Sequence, residues 1–480
     1  MSGRADDRRR TFAVAAVAAI LIARQLHWLW TGCFNEDELE NLQVLWLTHH
    51  GWIFGRDYVT SHLPAFPLLL EPLYRWFGPT PALPVAVRIA MTPAVAWTLG
   101  EIFLLARDVG EGPSSGWFAI VLLLASPTLA VSMVEARPDA VALPLALAGL
   151  RCFRHSSTAP RSNRLLIGSG ALYGLSLLFN PKAVFLALAT LWAAARQRRD
   201  ASDEPWNARA APLAGYVLAT IAPFVTIAAG LALRGWISTA DLEVFLTTGY
   251  RWLDPARLTG YKIFLLERIV GLAPLALVLG VLALVRDRPG RDDRADGSWS
   301  AVWLASIAYI AQIVVSAVVV TQMLLLPSVL LASGAARLLR RSGSLVTAGI
   351  AVAAALAPAL LVPEDQSGRN EQLERLAFVL RNVPENRPVI DGRFGTEAFR
   401  PLPGRFQQFR PWVYRPSVYA REEAAVISAI ASGRVGAVIR HPLYEFIDPG
   451  IRALIERHYA PAGSEHPDVW LPRPRPRRVT

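Results

Sequence analysis

Cysteine is almost missing from this chain: Cys33 and Cys152 are the two present in 480 residues. The topology drawn below sets them on opposite sides of a bilayer, so they cannot bridge within one chain. Neither a disulfide framework, a Cys-His zinc spacing nor a redox pair exists. Charge is scarce as well. Charged residues make up 18% of the chain against 53% hydrophobic ones, and the mean hydropathy is +0.33, which excludes an ordinary soluble protein of this length. Lysine is confined to Lys182 and Lys262, so the 49 basic residues are nearly all arginine. With abundant Ala and Trp, this bias points to a GC-rich bacterial genome. No sequence repeat of fixed period is present.

What the chain has in quantity is apolar runs. The net charge of +11 and the pI near 10.1 raise the question of nucleic acid. The arginines, however, fall in short loops between apolar runs and in the C-terminal segment, a positive-inside pattern rather than a polyanion site. Residues 1–10 are polar and Arg-rich, and Thr11 to Trp30 is close to the roughly 20 residues that span a bilayer. A small-x-small cleavage site is absent and the run ends on Trp28 and Trp30. A retained anchor with a cytoplasmic N-terminus is therefore expected rather than a cleaved signal peptide. Residues 31–83 form the first outer loop. Within it Leu63 to Phe77 is short and broken by Pro64, Pro67 and Pro72, so it should lie along or dip into the interface. Were it to span, the basic loops Arg151 to Arg164 and Ala195 to Arg209 would fall outside, against the charge rule.

The later runs alternate across the membrane: Pro84 to Ala106, Gly116 to Met133, Ala140 to Leu150 with its flanks, Leu165 to Phe179, Ala183 to Ala195, Ala210 to Leu233, Ile263 to Val285, Trp299 to Val320, Met323 to Ala336 and Leu345 to Val362. That makes a polytopic α-helical membrane protein of about 11 transmembrane helices. A second outer loop, Arg234 to Lys262, and a mixed-charge cytoplasmic loop, Arg286 to Gly297, interrupt the series. Residues 1–362 form the transmembrane part, which would carry the catalytic site. From Pro363 the composition turns polar, Pro-rich and aromatic. Glu371 to Arg381 predicts an amphipathic helix, and Pro388 to Asp391 and Val435 to Ile439 predict short strands. A small extracytoplasmic α/β domain over 363–480 follows, with a solvated basic tail from Pro472. The stretch Arg400 to Tyr419 reads as domain core or as a surface on which a glycan stacks.

Several constellations carry chemistry. Phe34-Asn35-Glu36-Asp37-Glu38-Leu39-Glu40-Asn41 follows the first span directly. If helical, it puts Glu36 and Glu40 near one face and Asp37 beside neither. It is either a solvated helix start whose carboxylates complement free N–H groups, or a reaction centre at the mouth of a membrane cavity. Oxygen ligands in Glu36-Asp37-Glu38 leave a divalent cation open, although no metal is required. Arg88 lies inside a span and needs a partner or an anionic ligand. In Glu135-Ala136-Arg137-Pro138-Asp139, Pro138 suits a first helical turn with Asp139 complementing it, while a functional reading pairs Arg137 with Asp139 at an outer cavity. Lys182, on an Asn180-Pro181-Lys182 hairpin, either snorkels or aims a compact ammonium at phosphate. His62 and the pair His49-His50 are weaker signals.

In order, Asp37-Glu38, the Gly51 to Tyr58 element carrying Arg56-Asp57-Tyr58, His62-Leu63-Pro64, Gly78, Arg88 and Arg137-Pro138-Asp139 span roughly the first 200 residues. Together they resemble bacterial membrane glycosyltransferases of the GT-C fold. More narrowly, the chain is similar to the dolichyl-phosphate-mannose-protein mannosyltransferase and aminoarabinose transferase type. The resemblance implies transfer of a sugar from a polyprenyl-phosphate carrier to a glycan, lipid or protein acceptor on the outer face of the bacterial cytoplasmic membrane. It implies Asp37 as general base and Glu38 as the group orienting it or the sugar. Arg56, His62, Arg88, Arg137, Asp139 and Lys182 become candidates for substrate binding. Family members often carry His where this chain has Asn41, so that position holds no titrating group here.

Two other classes stay open on sequence. A flippase for a lipid-linked sugar would use the same charges, but transporters commonly show symmetry between halves and none is visible. A non-catalytic envelope scaffold leaves the carboxylate cluster and Arg88 unexplained.

Overall fold

A computed structural model describes residues 2–54, 56–58, 65–110, 112–156, 162–200, 205–235, 274–286, 297–315, 325–342, 366–391, 399–404, 416–440, 444 and 447–474. The His62-Leu63-Pro64 element, the second outer loop after Gly235, the expected span Leu345 to Val362 and most of the Arg400 to Tyr419 stretch lie outside them. The chain divides into two compact units: Met1–Trp30, Ala90–Ile227 and Asp254–Glu364 in the first, and Thr31–Ile89, Ala228–Leu253 and Asp365–Thr480 in the second.

The first unit is helical and apolar. It contains nearly all of α1 (Ser2–Thr31), then α5 (Thr92–Val109), α6 (Pro113–Leu124), α7 (Pro127–Val134), α8 (Pro138–Ser156), α9 (Ser162–Phe179), α10 (Val184–Asp200), most of α11 (Trp206–Leu233), α12 (Pro274–Arg286), α13 (Gly297–Val315) and α14 (Leu325–Ser342). Gly116 to Met133, expected as one run, is two helices. Ser126 ends the first and caps the second, its Oγ accepting from the Leu129 N–H, and Pro127 starts the new helix because it has no N–H to lose. Among the described residues, Thr11–Thr31, Ala82–Val109 and Asn207–Leu233 are long and apolar enough to cross a bilayer, and Pro113–Leu124, Trp299–Ala311 and Leu326–Ala336 are shorter apolar helices. Helices α8 and α9 pack along their length, and Gly170 and Gly174 of α9 meet α11. An added Cβ would lie 2.4 Å from the Tyr216 carbonyl oxygen at the first and 2.4 Å from the Thr220 carbonyl oxygen at the second. Small residues four apart let two backbones approach where lipid supplies no hydrophobic drive.

The second unit holds α2 (Glu36–His49), α3 (Ala65–Phe77), most of α4 (Ala82–Ala90), α15 (Gln366–Asn382), α16 (Pro416–Ala431) and α17 (Pro449–His458). Four strands accompany them: β1 (Val389–Asp391), β2 (Ala437–Ile439), β3 (Tyr459–Pro461) and β4 (Val469–Pro472). Their order is β1-β2-β4-β3; β1 and β2 are parallel, with Ile390 opposite Val438, and β4 runs antiparallel to both its neighbours. Alternation splits the strands between two faces. Ile390 and Val438 pack with Val426 and Ile430 of α16 and Ile451 and Ile455 of α17, while Val389, Ala437 and Ile439 pack with Val379 and Val383 at the end of α15. The two strands and the helix expected from sequence are present; β3, β4, α16 and α17 complete the layer.

Helix α2 is delimited at both ends by backbone chemistry. Asn35 and Glu38 form a capping box at its start. At its end the Gly51 N–H donates to Thr48 O at 3.1 Å and the Trp52 N–H to Leu47 O at 3.0 Å, with Gly51 at φ +82°. This is a Schellman stop, which only a residue at ease in the left-handed region ends without strain. Helix α3 is amphipathic: Phe66, Leu70 and Tyr74 are buried, while Trp76 is 85% exposed and Leu69 49%.

Candidate active site

The carboxylates at the start of α2 divide into two environments. Asp37 is half-buried in the first turn, where the positive end of the helix dipole favours negative charge, and its N–H donates to Asn35 Oδ1 at 2.9 Å. Glu38 is 2% exposed and Arg88, from α4, is 1% exposed. Arg88 Nε donates to Glu38 Oε1 at 2.9 Å and Nη2 donates to Oε2. Oε2 also accepts the Asn35 N–H at 2.8 Å. The same guanidinium donates to the Gly32 and Cys33 carbonyls at 2.7 and 2.8 Å and lies 4.3 Å above the Phe34 ring.

The buried arginine expected to need a partner or an anionic ligand thus has a carboxylate partner inside the fold. Glu38 caps the helix and holds Arg88. A cation ligated by Glu38 would have to displace a buried guanidinium, so Glu38 does not fit a metal ligand. Among the described residues, no three His, Cys, Asp or Glu groups converge as a metal site.

The loop that carries Asp37 is held from a second direction. The Phe34 N–H donates to Gln372 Oε1 at 2.8 Å, and Gln372 Nε2 donates back to Phe34 O at 3.0 Å. Farther along α2, Gln43 Nε2 donates to the Arg400 carbonyl oxygen. The Arg400 guanidinium closes the C-terminus of α15 through Leu380 O at 3.1 Å and Val383 O at 2.7 Å. Burial lowers its pKa from the ordinary arginine value. Asn41 Nδ2 turns back to the Asp37 carbonyl at 2.5 Å.

The Gly51 to Tyr58 element is a turn packed on the end of α2. The Asp57 carboxylate accepts the Ile53 N–H at 2.9 Å and takes both Arg56 Nε and Nη2, at 2.9 and 2.7 Å, leaving Arg56 exposed. Tyr58 is buried, shares a 2.9 Å hydrogen bond with Thr48 Oγ1, and has its pKa pushed up to about 12, chiefly by burial. His49 and His50 contact carboxylates: His49 Nδ1 lies 3.2 Å from Glu71, and His50 Nε2 3.2 Å from Glu385. His62 lies outside the described residues.

In the first unit, Arg137 is buried and its Nη1 donates to Glu135 at 3.0 Å, whereas one of the two readings of the motif pairs it with Asp139. Pro138 and Asp139 open α8 as their capping chemistry predicts. Asp139 Oδ1 accepts from Asn180 Nδ2 at 2.5 Å; Asn180 Oδ1 accepts the Lys182 N–H at 2.9 Å; and the Lys182 carbonyl accepts from Tyr309 OH at 2.8 Å. These groups line a cavity of about 350 Å³, open space included, whose other walls are Ala142, Leu143, Ala146, Ser176, Ala183 and Leu326.

The Asn-Pro-Lys hairpin and the start of α8 are therefore brought together, as are Glu38 and Arg88. Glu135 and Asn180 stood in the quoted motifs without a role. Gln372 is one of two glutamines in an amphipathic helix and carried no sequence signal. Nor did Glu101, buried in α5 with Arg151 Nε at 3.0 Å and Trp97 Nε1 at 3.0 Å.

No protein-family model matches the chain, and no curated protein sequence matches it. Solved structures do. ArnT from Cupriavidus metallidurans bound to undecaprenyl phosphate aligns over 96% of this chain and 97% of its own, with a TM-score of 0.61 at 12% identity. The oligosaccharyltransferase AglB of Archaeoglobus fulgidus, in complex with an inhibitory peptide and a dolichol-phosphate, aligns over 99% of this chain and 75% of its own, with a TM-score of 0.53 at 11% identity. A complex of the Archaeoglobus enzyme with Zn and sulfate gives 0.51 at 14%, over 94% of this chain and 71% of its own. This chain is a multi-pass membrane protein with the GT-C fold of those glycosyltransferases.

Proposed function

We propose that the chain is an inverting glycosyltransferase that takes a sugar from a polyprenyl-phosphate carrier and attaches it to an acceptor hydroxyl at the outer face of the bacterial cytoplasmic membrane. The observation that carries this is the fold likeness over almost the full length to ArnT, whose structure holds undecaprenyl phosphate. The acid-bearing helix start supports it. Asp37 is half-buried at a helix N-terminus, beside a carboxylate already committed to Arg88.

In the proposed reaction Asp37 accepts the proton of the acceptor hydroxyl as that oxygen bonds to the anomeric carbon. The bond from that carbon to the lipid phosphate oxygen breaks with inversion, and the phosphate leaves with the electron pair. A carboxylate at this position also stabilises the oxocarbenium character of the transition state. Base assistance of this kind contributes roughly 10²–10⁴-fold.

Lys182 is proposed to hold the departing phosphate. Its cavity joins an ammonium-bearing hairpin to an apolar wall of alanines and leucines, which suits a charged head on a lipid chain. Asp139 lines that cavity and holds the hairpin through Asn180, while Arg137 pairs with Glu135 just before α8. Arg88 and Glu38 are proposed to position Asp37 rather than bind substrate. The N-terminus is assigned to the cytoplasm, and residues 363–480 to the outside as a small α/β domain.

The test is Asp37→Asn in the full-length protein, reconstituted with an extract of undecaprenyl-phosphate-linked sugars and outer-envelope acceptors. Transfer should fall by at least roughly 10²-fold with the thermal unfolding profile unchanged. An Asn variant as active as the wild type overturns the base assignment.

A further inference from the structure

We propose that Gln372, on α15 far along the chain, is a positioning residue for Asp37. This rests on the reading of Asp37 as the base. The residue before the α2 N-cap, Asn35, is Phe34, and both backbone groups of Phe34 are bonded to one side chain. Its N–H donates to Gln372 Oε1 at 2.8 Å and its carbonyl accepts from Gln372 Nε2 at 3.0 Å. A primary amide is the one neutral side-chain group that supplies an acceptor and a donor side by side, so it clamps both backbone groups of one residue at once.

Gln372 is 8% exposed, which shields both bonds from water and makes the loss of either costly. On the other flank Arg88 holds the Gly32 and Cys33 carbonyls and lies over the Phe34 ring. The two anchors have different chemistry. Arg88 fixes the loop through charge and through Glu38, whereas Gln372 fixes the backbone direction at Phe34, three residues before Asp37. A displacement near 1 Å of a catalytic group can cost about 10²-fold in rate. The register of this loop therefore sets the aim of the carboxylate.

The experiment uses the full-length chain in nanodiscs with Cys152 replaced by Ser, so that Cys33, half-buried in the same loop, is the one thiol left. Three proteins are compared: the parent, Gln372→Leu and Arg375→Met. Arg375 lies on the same helix and pairs with Asp468 at 2.6 Å, whereas the recorded bonds from α15 to Phe34 are those of Gln372. Two quantities are read: the rate of Cys33 labelling by a maleimide, and transfer with the undecaprenyl-phosphate-linked sugar extract over a range of concentrations.

Gln372→Leu should label severalfold faster and lose roughly 10–100-fold in kcat with an apparent KM close to the parent's, while Arg375→Met changes neither reading. Parent-like labelling in Gln372→Leu, or an equal loss of kcat in Arg375→Met, overturns the proposal. An active Asp37→Asn variant removes the base assignment alone, and the labelling rates then decide by themselves whether Gln372 holds the loop.

Discussion

At the scale of single residues, the membrane arginine was the clearest chemical signal in the sequence and the one whose answer lay within the chain. A guanidinium in a span demands a counter-charge, and Glu38 meets it with two parallel hydrogen bonds. Breaking a buried pair by removing one partner costs about 3–5 kcal/mol, because the other charge is left uncompensated. Arg88→Met or Glu38→Gln alone should therefore lower the detergent unfolding temperature sharply. The double variant, which leaves no uncompensated charge but still lacks the bonds to the Gly32 and Cys33 carbonyls, should lose less than the sum of the two single losses in the same assay. Additive losses would mean that the two residues stabilise the fold independently. The sequence revealed that Arg88 needed a partner but not which one, since Glu36, Asp37, Glu38 and Glu40 are equivalent by charge; only the capping geometry singles out Glu38.

At the scale of elements, the apolar runs and the breakers among them were legible, because bilayer length and proline chemistry act locally. Helix α3, the start of α8 at Pro138, and strands β1 and β2 all stand where pattern placed them. The break at Ser126-Pro127 was missed because a long apolar run outweighs one cap signal when only hydropathy is counted. Strands β3 and β4 were missed because each is short and ends on a proline, Pro461 and Pro472, whereas the equally short β1 and β2 lie in apolar runs. Helix contacts were beyond sequence except through small residues. Gly170 and Gly174 sit directly against carbonyl oxygens of α11, so Gly174→Leu should force α9 and α11 apart. The expected outcome is a lowered unfolding midpoint or loss of folded protein in detergent, while Gly168→Leu, whose Cβ position meets nothing within 4 Å, behaves as the parent.

At the scale of the whole molecule, composition alone identified a multi-pass membrane protein, and the ordered motifs identified the fold that ArnT and AglB share. The proposed donor follows from that scale and is checked there. Wild-type protein purified in mild detergent should carry a polyprenyl phosphate, bare or bearing a sugar, by mass spectrometry, and Lys182→Ala should carry much less. Bulk phospholipid alone in both would remove the support for a lipid-phosphate site at the hairpin. What sequence did not reveal is that Thr31–Ile89 and Ala228–Leu253 belong to one compact unit with the last quarter of the chain, Asp365–Thr480. The bonds responsible, Phe34 to Gln372 and Gln43 to Arg400, join positions 338 and 357 residues apart. Synthesis runs from the N-terminus, so the ribosome has inserted most of the chain before Gln372 exists to meet Phe34. The clamp on the Asp37 loop is thus a late event in biogenesis: on the proposed role of Asp37, the loop takes its final form only after the last quarter of the chain has emerged and folded.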